Sequence, residues 1–314
     1  MAVHPGLGLG SRSALVSNIV IDRLTAEVTG ALTDAGIEHL LMKGPVIARW
    51  LYPDVVRPYW DSDILVARRD WEQSVAVLQD LGFSAYRGFG HPGLESTTSA
   101  AFIRGAGHEN VDLHRTLEGL TADPDEVWRI LTADATRDFI GGREVGIPAR
   151  AVVLMHIALH AAHHGRQPKV VEDVRRALLH ADEDLWRQAA DRAMALGGLA
   201  AFSSGLRLLP EGAALAERLG IRDVRSVTFD LRVRGTPTAE ALHHLLDPER
   251  PARERCAFLL RELFPSPEFI RWWTPLARRS RRGLIAGYAW RWAWLGANVP
   301  RGLMAVRRAR RARG

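Results

Sequence analysis

The sequence predicts an α+β fold, a mixed α/β first half followed by a mostly α-helical second half. Up to about residue 147, apolar runs of strand length alternate with stretches whose apolar residues recur every three or four positions; beyond Pro148 strand-like runs nearly vanish. The length, 314 residues, suggests two domains at roughly 150 residues each. Hydrophobic residues make up 47% and charged residues 25%, with mean hydropathy −0.09. That balance excludes intrinsic disorder as the main state and a bundle of membrane spans.

Residues 14–35 place apolar side chains on one helical stripe and stop at Gly36, as a helix with a glycine C-cap does. Ile37 to Met42 is a short apolar run of strand length. Lys43-Gly44-Pro45 follows, then a helical pattern through Leu51; proline suits a first helical turn because its missing N–H would go unpaired there. Tyr52-Pro53-Asp54 ends that helix, Arg57-Pro58 is a loop, and Asp61 to Val66 reads as a strand entered through two acidic residues. A third helix spans about Asp70–Asp80. Ser84–Arg87, Ser99–Arg104 and Asn110–Leu113 read as further strands. In the second half, Ala149–His164, Val170–His180, Asp184–Ala195, Leu199–Leu208 and Pro251–Leu263 fit helices. The expected organisation is 1–147, 148–268 and a basic Trp/Arg-rich helical segment, 269–314.

The net charge of +6 is unevenly spread: from Phe269 to Gly314 there are twelve arginines and no acidic residue, leaving the first 268 residues at −6. An acidic globule with a basic C-terminal segment is implied, not a body that binds nucleic acid overall. Five of the ten tryptophans lie in that segment. Tryptophan among arginines suits an anionic membrane surface or an acidic partner, less readily nucleic acid, and equally a terminal helix packing its rings on the helical domain. Only Lys43 and Lys169 stand against forty arginines. The single cysteine, Cys256, permits no intramolecular disulfide, and its apolar helical context predicts burial. The N-terminus lacks the charged and apolar regions of a secretory signal, so a cytoplasmic chain with a short loose leader, peripheral to a membrane at most, is expected.

The densest polar cluster of the first half is Lys43-Gly44, Arg57, Asp61-x-Asp63 and Asp112-x-His114. Two aspartates at i and i+2 of a strand face the same side. A third from a neighbouring strand would complete an oxygen-rich site of the kind Mg²⁺ or Mn²⁺ takes in phosphoryl and nucleotidyl transfer. The glycine turn at a helix start offers N–H groups to phosphate, with Lys43 and Arg57 as charge donors. A D-x-D pair is also commonly just a solvated turn, and D-S-D is equally open to a glycosyltransferase using a metal-bound nucleotide sugar.

Leu41-Met42-Lys43-Gly44-Pro45, Leu51-Tyr52-Pro53, Arg57-Pro58, Asp61-Ser62-Asp63-Ile64-Leu65-Val66 and Val111-Asp112-Leu113-His114 together resemble an uncharacterised bacterial nucleotidyltransferase family of the DNA polymerase β-like fold. The resemblance spans roughly residues 15–180, with His156, His160 and Glu172-Asp173-Val174 matching its helical half. It implies a nucleotidyltransferase-type sheet and metal-dependent transfer of a nucleotidyl group from an NTP, ATP among them, to an acceptor hydroxyl or phosphate. Asp61 and Asp63 would ligate metal, Asp112 would be a third ligand or base, and Gly44 the phosphate-loop glycine. Pro45 stands where polymerase-like members carry serine and Ser62 where an apolar residue is usual, and Trp60 is bulky for its place. Lys43 would then take over phosphate contact. The contrary expectation is a catalytically degenerate scaffold working through its basic tail.

His156, His160, His163 and His164 share most of one helix face. Zinc bound with Glu172 or Asp173 is one reading; histidines bonded to backbone or to Asp173 is the commoner one. In a third, His114, His160 and Asp173 line an acceptor pocket between sheet and helical domain.

Overall fold

The computed structural model describes residues 9–86, 98–105, 109–165, 167–223, 227–234, 236, 238–248 and 250–311. The first apolar stripe forms α1 (Leu9–Asp34), which starts five residues before the predicted boundary. Ile21, Leu24, Val28 and Leu32 form its buried edge. β1 (His39–Leu41), α2 (Pro45–Leu51), β2 (Ser62–Val66), α3 (Trp71–Asp80), β3 (Ser84–Ala85), β4 (Ser99–Arg104) and β5 (Glu109–His114) follow. Arg87, assigned to the third strand from sequence, and residues 1–8 of the expected leader lie outside the described residues, while residues 9–13, expected to be loose, belong to α1.

These strands form a five-stranded sheet in the order β1-β2-β5-β4-β3. β2 and β5 run parallel; the other pairs are antiparallel. Alternation along β2 splits its side chains: Ser62 turns to α1, where the Thr25 hydroxyl donates to its Oγ (2.9 Å), and Asp63 turns to the opposite face. The strand begins at Ser62, so Asp61 precedes it, contrary to the expected strand start. The segment before it is fastened to α1 instead: Asn18 donates to the Arg57 carbonyl (2.9 Å) and accepts from the Tyr59 N–H (3.1 Å), while the Tyr59 hydroxyl donates to Asp22 (2.7 Å).

α4 (Pro124–Thr132) and a hairpin, β6 (Thr136–Ile140) and β7 (Arg143–Ile147), were not anticipated. Their signals are present in the sequence. Asp123 caps α4 by accepting from the Asp125 N–H, with Pro124 at the first helical position. Gly141-Gly142, both at positive φ, make the two-residue turn.

α5 (Arg150–His164) is buried along nearly its whole length and packs against α6 (Pro168–His180), α7 (Glu183–Ala195) and α8 (Leu199–Leu206); α9 (Pro210–Arg218) closes the series. The Trp186 and Phe202 rings meet edge to face beneath it. By Cα proximity the sheet and these helices form one unit, up to residue 223 among the described residues, and the remainder forms another. The sequence boundaries at 147 and 268 fall inside these units.

The second unit holds α10 (Val227–Arg234), α11 (Ala239–Leu245), α12 (Ala252–Leu263), α13 (Pro267–Trp273) and α14 (Arg281–Arg311). Its core joins Leu231, Ala239, Ala305, Val306 and Ala309. Arg291 is buried, paired with Glu262 (2.8 Å) beneath the Phe269 and Trp273 rings. Cys256 is exposed, correcting the expected burial. α12 buries no residue fully, and Phe258, stacked on His244, supplies its ring contact. Among the described residues no helix is long and apolar enough to cross a membrane.

Candidate active site

Parallel pairing of β2 with β5 sets Asp63 opposite Asp112. Both carboxylates therefore lie on the sheet face away from α1, and His114, two residues on, joins them. Ligand atoms of Asp63, Asp112 and His114 all fall within 4.8 Å of one another. His114 Nε2 is 3.2 Å from Asp63 Oδ1.

Lys43 reaches the same oxygen. The Met42 N–H donates to the Asp63 carbonyl (2.9 Å), carrying the β1–β2 ladder one step beyond β1. The next residue, Lys43, puts Nζ 2.5 Å from Asp63 Oδ1. Gly44 then takes φ 58°, a left-handed turn that a side chain would strain, and Pro45 starts α2.

Burial pushes the Asp63 carboxyl upward, but the Lys43 ammonium and the hydrogen-bonded His114 more than offset this and hold it well below the usual range. Asp112 has no such cation bonded to it. Burial and the negative charge of Asp63 push it up to about 6. Asp61, half-buried just before β2, is also raised, first by burial and then by Asp63. It lies outside the three-residue ligand group but feels both lysines, Lys43 and Lys169. Lys169, in the first turn of α6, stands 5.2 Å from the centroid of the exposed Trp60 ring, beside Asp61.

Facing the carboxylates, α5 presents His156, His160 and His164. With Lys43, Ser99, Asp112, His114, Leu117 and Glu118 they enclose a cavity of about 190 Å³. Burial, then the charge of Lys43, lowers His156 to about 3 and His160 well below its ordinary value. His156 and His160 are therefore uncharged at neutral pH. His160 and Asp173 also border a smaller space, about 10 Å³, beside Ile47 and Val170.

Arg57 and Asp173 meet directly. Arg57 Nε and Nη2 donate to the two Asp173 oxygens (2.7 and 2.6 Å), and the Tyr52 hydroxyl donates to Asp173 Oδ1 (2.6 Å). Both charges are buried, so they are spent on each other across the join between the 52–57 segment and α6. The carboxylate beside His163 is Glu118, not Glu172 or Asp173; Glu172 pairs with Arg175 and Arg176. Sequence reasoning missed Glu118 because a carboxylate in a loop after a strand has no periodic signature.

Residues 7–212 match the sequence profile of the family described as uncharacterised nucleotidyltransferase. The chain belongs to this nucleotidyltransferase family. The match covers the sheet, the carboxylate cluster and α5 to α8, and makes the protein an enzyme of the nucleotidyltransferase class. No curated protein matches the chain. Similar solved structures include the antibiotic-resistance factor ANT(2'')-Ia, 16% identical over 57% of this chain and 96% of that one, TM-score 0.40. A nucleotidyltransferase-like antigenic protein of Paracoccidioides brasiliensis is 17% identical over 68% and 95%, TM-score 0.38. The lincosamide antibiotic adenylyltransferase LnuA, bound to lincomycin, is 12% identical over 46% and 89%, TM-score 0.34.

Proposed function

We propose that the protein transfers a nucleotidyl group from an NTP to an acceptor hydroxyl or phosphate in a Mg²⁺- or Mn²⁺-dependent reaction. The observation that supports this reading is the in-register pairing of Asp63 with Asp112 on neighbouring parallel strands, with Lys43 bonded to Asp63 and lining, together with Asp112, the same cavity. The donor set fits the ion: Asp63 and Asp112 supply clustered carboxylate oxygens, and Asp61 adds a third close by. Bound there, the divalent ion would neutralise the triphosphate and act as a Lewis acid.

The acceptor oxygen attacks the α-phosphorus, the α–β phosphoanhydride bond breaks, and pyrophosphate leaves. Asp112, set opposite Asp63 and lining the cavity, accepts the acceptor's proton. Lys43 and the Gly44 turn hold phosphate, with Lys169 and Trp60 on the donor side next to Asp61. The Arg57–Asp173 pair braces that loop against α6. His114 and His160 line the acceptor's space with imidazole nitrogens.

The test is a thermal-shift panel of ATP, GTP, CTP and UTP, each with and without Mg²⁺ or Mn²⁺, on wild type and D61N/D63N. A ligand that binds only the folded state raises its melting temperature. A metal-dependent shift with one NTP, lost in the variant, is expected. A shift confined to UDP-sugars, or an NTP shift unchanged in D61N/D63N, would overturn the assignment.

For the basic C-terminal segment the reading is contact with an anionic membrane surface. It is favoured by Ile285, Trp290 and Trp292, which stay exposed on α14 close to Arg281 and Arg282 in sequence.

A further inference from the structure

Glu118, His163 and His164 form a second ligand group, separate in composition from the carboxylates of β2 and β5. Their ligand atoms all lie within 4.8 Å of one another, and His163 Nε2 is 2.9 Å from Glu118 Oε2. Two features of the fold hold this arrangement. α5 ends at His164, and Gly165 leaves the helix, so its last turn carries two consecutive imidazoles with ring centroids 5.1 Å apart. The loop after β5 is pinned on both sides of Glu118. Leu117 is buried, and Gly119, at φ 89°, lies where a Cβ would stand 2.9 Å from the Ala201 Cβ and 3.3 Å from Leu159 Cδ2. Glu118 is thus presented to the end of α5 by packing against α5 and α8.

The chemistry of the group selects among ions. Two imidazoles and one carboxylate suit zinc, which accepts nitrogen and oxygen ligands and commonly keeps a fourth position open; magnesium and calcium favour all-oxygen shells. The C-terminal end of a 15-residue helix carries partial negative charge, which favours a cation there. Glu118 and His164 also border the 190 Å³ cavity that Asp112 and His114 line. We propose that Glu118, His163 and His164 bind a zinc ion on the acceptor side of that cavity, leaving one coordination position for water or an acceptor oxygen.

The test is cobalt substitution in the full chain stripped with a chelator. Co²⁺ is titrated in saturating Mg²⁺, which occupies the carboxylate site, and its visible d–d absorption is followed; Zn²⁺ is then added in competition. Wild type is expected to bind one Co²⁺ with the strong absorption of a four- or five-coordinate site, and Zn²⁺ to displace it. E118Q is expected to weaken binding at least about 10-fold and H163N/H164N to abolish it, with circular dichroism unchanged because all three side chains are at least partly exposed. D63N/D112N is expected to keep the absorption. No absorption in wild type, or absorption that survives H163N/H164N and vanishes in D63N/D112N, would overturn the proposal. This readout is independent of nucleotidyl transfer, so either outcome leaves the catalytic reading to its own test.

Discussion

In the metal-free protein Asp63 and Asp112 are pushed in opposite directions by the same few neighbours. Lys43 holds Asp63 ionised, and burial, joined by the Asp63 charge, raises Asp112 from 3.8 to about 6. Between those two values the folded state binds more protons at Asp112 than the unfolded chain does, so this residue's contribution to stability falls as pH rises through that window and is fully unfavourable above about 6. D112N should therefore stabilise the chelated protein at pH 7.5, on the order of 1–2 kcal/mol, while abolishing transfer. The gain should shrink as pH is lowered toward 4. Urea denaturation across pH checks it; a gain that does not change with pH would contradict the assignment. The Arg57–Asp173 pair gives a different signature. Removing one partner strands a buried charge, so R57A should cost about 3–5 kcal/mol, whereas R57M/D173L should cost less than either single change. These roles were only partly legible in the sequence. D-x-D and V-D-L-H name the carboxylates, but nothing in one dimension says that Arg57 and Asp173, 116 positions apart, spend their charges on each other.

Among the elements, α1 does more than fill the core. Asn18 and Asp22 satisfy backbone and hydroxyl groups of the segment that carries Trp60 and Asp61. N18A leaves a buried carbonyl and a buried N–H without these bonds and should cost about 1–3 kcal/mol. Because that segment positions Asp61, transfer should lose more in kcat than in stability-matched variants elsewhere, a split that steady-state kinetics can read. Strands with strong alternation and helices with clear apolar stripes were readable from the sequence to within a few residues. The β6–β7 hairpin was not, since Thr136 to Ile147 is rich in charge and its strands are largely exposed. Its one clear marker is the Gly141-Gly142 turn. Asp61 was drawn into the strand because alternation alone does not register that hydrogen bonds to α1 hold the chain just before Ser62.

At the scale of the whole molecule, the charge split read from composition ends in α14, whose outer arginines face solvent while Arg291 is taken inside. The full chain should co-sediment with phosphatidylglycerol vesicles at low salt, be released as ionic strength rises, and lose affinity in W290A/W292A; equal binding to neutral vesicles would contradict an electrostatic contact. Composition gave the asymmetry but not which tryptophans remain outside, because packing decides that: Trp273 and Trp294 meet edge to face, while Trp290 stays exposed. The scarcity of lysine has a practical consequence. Lys43 and Lys169 carry the only ε-amines of the chain, and their basicity has moved apart: the Asp63 partner raises Lys43 against its burial, whereas burial and then Arg57 lower Lys169. An acylating dye at mildly alkaline pH should therefore tag Lys169 ahead of Lys43, seating a fluorophore against the indole of Trp60. Quenching by that indole would then report, in real time, whatever enters between the two.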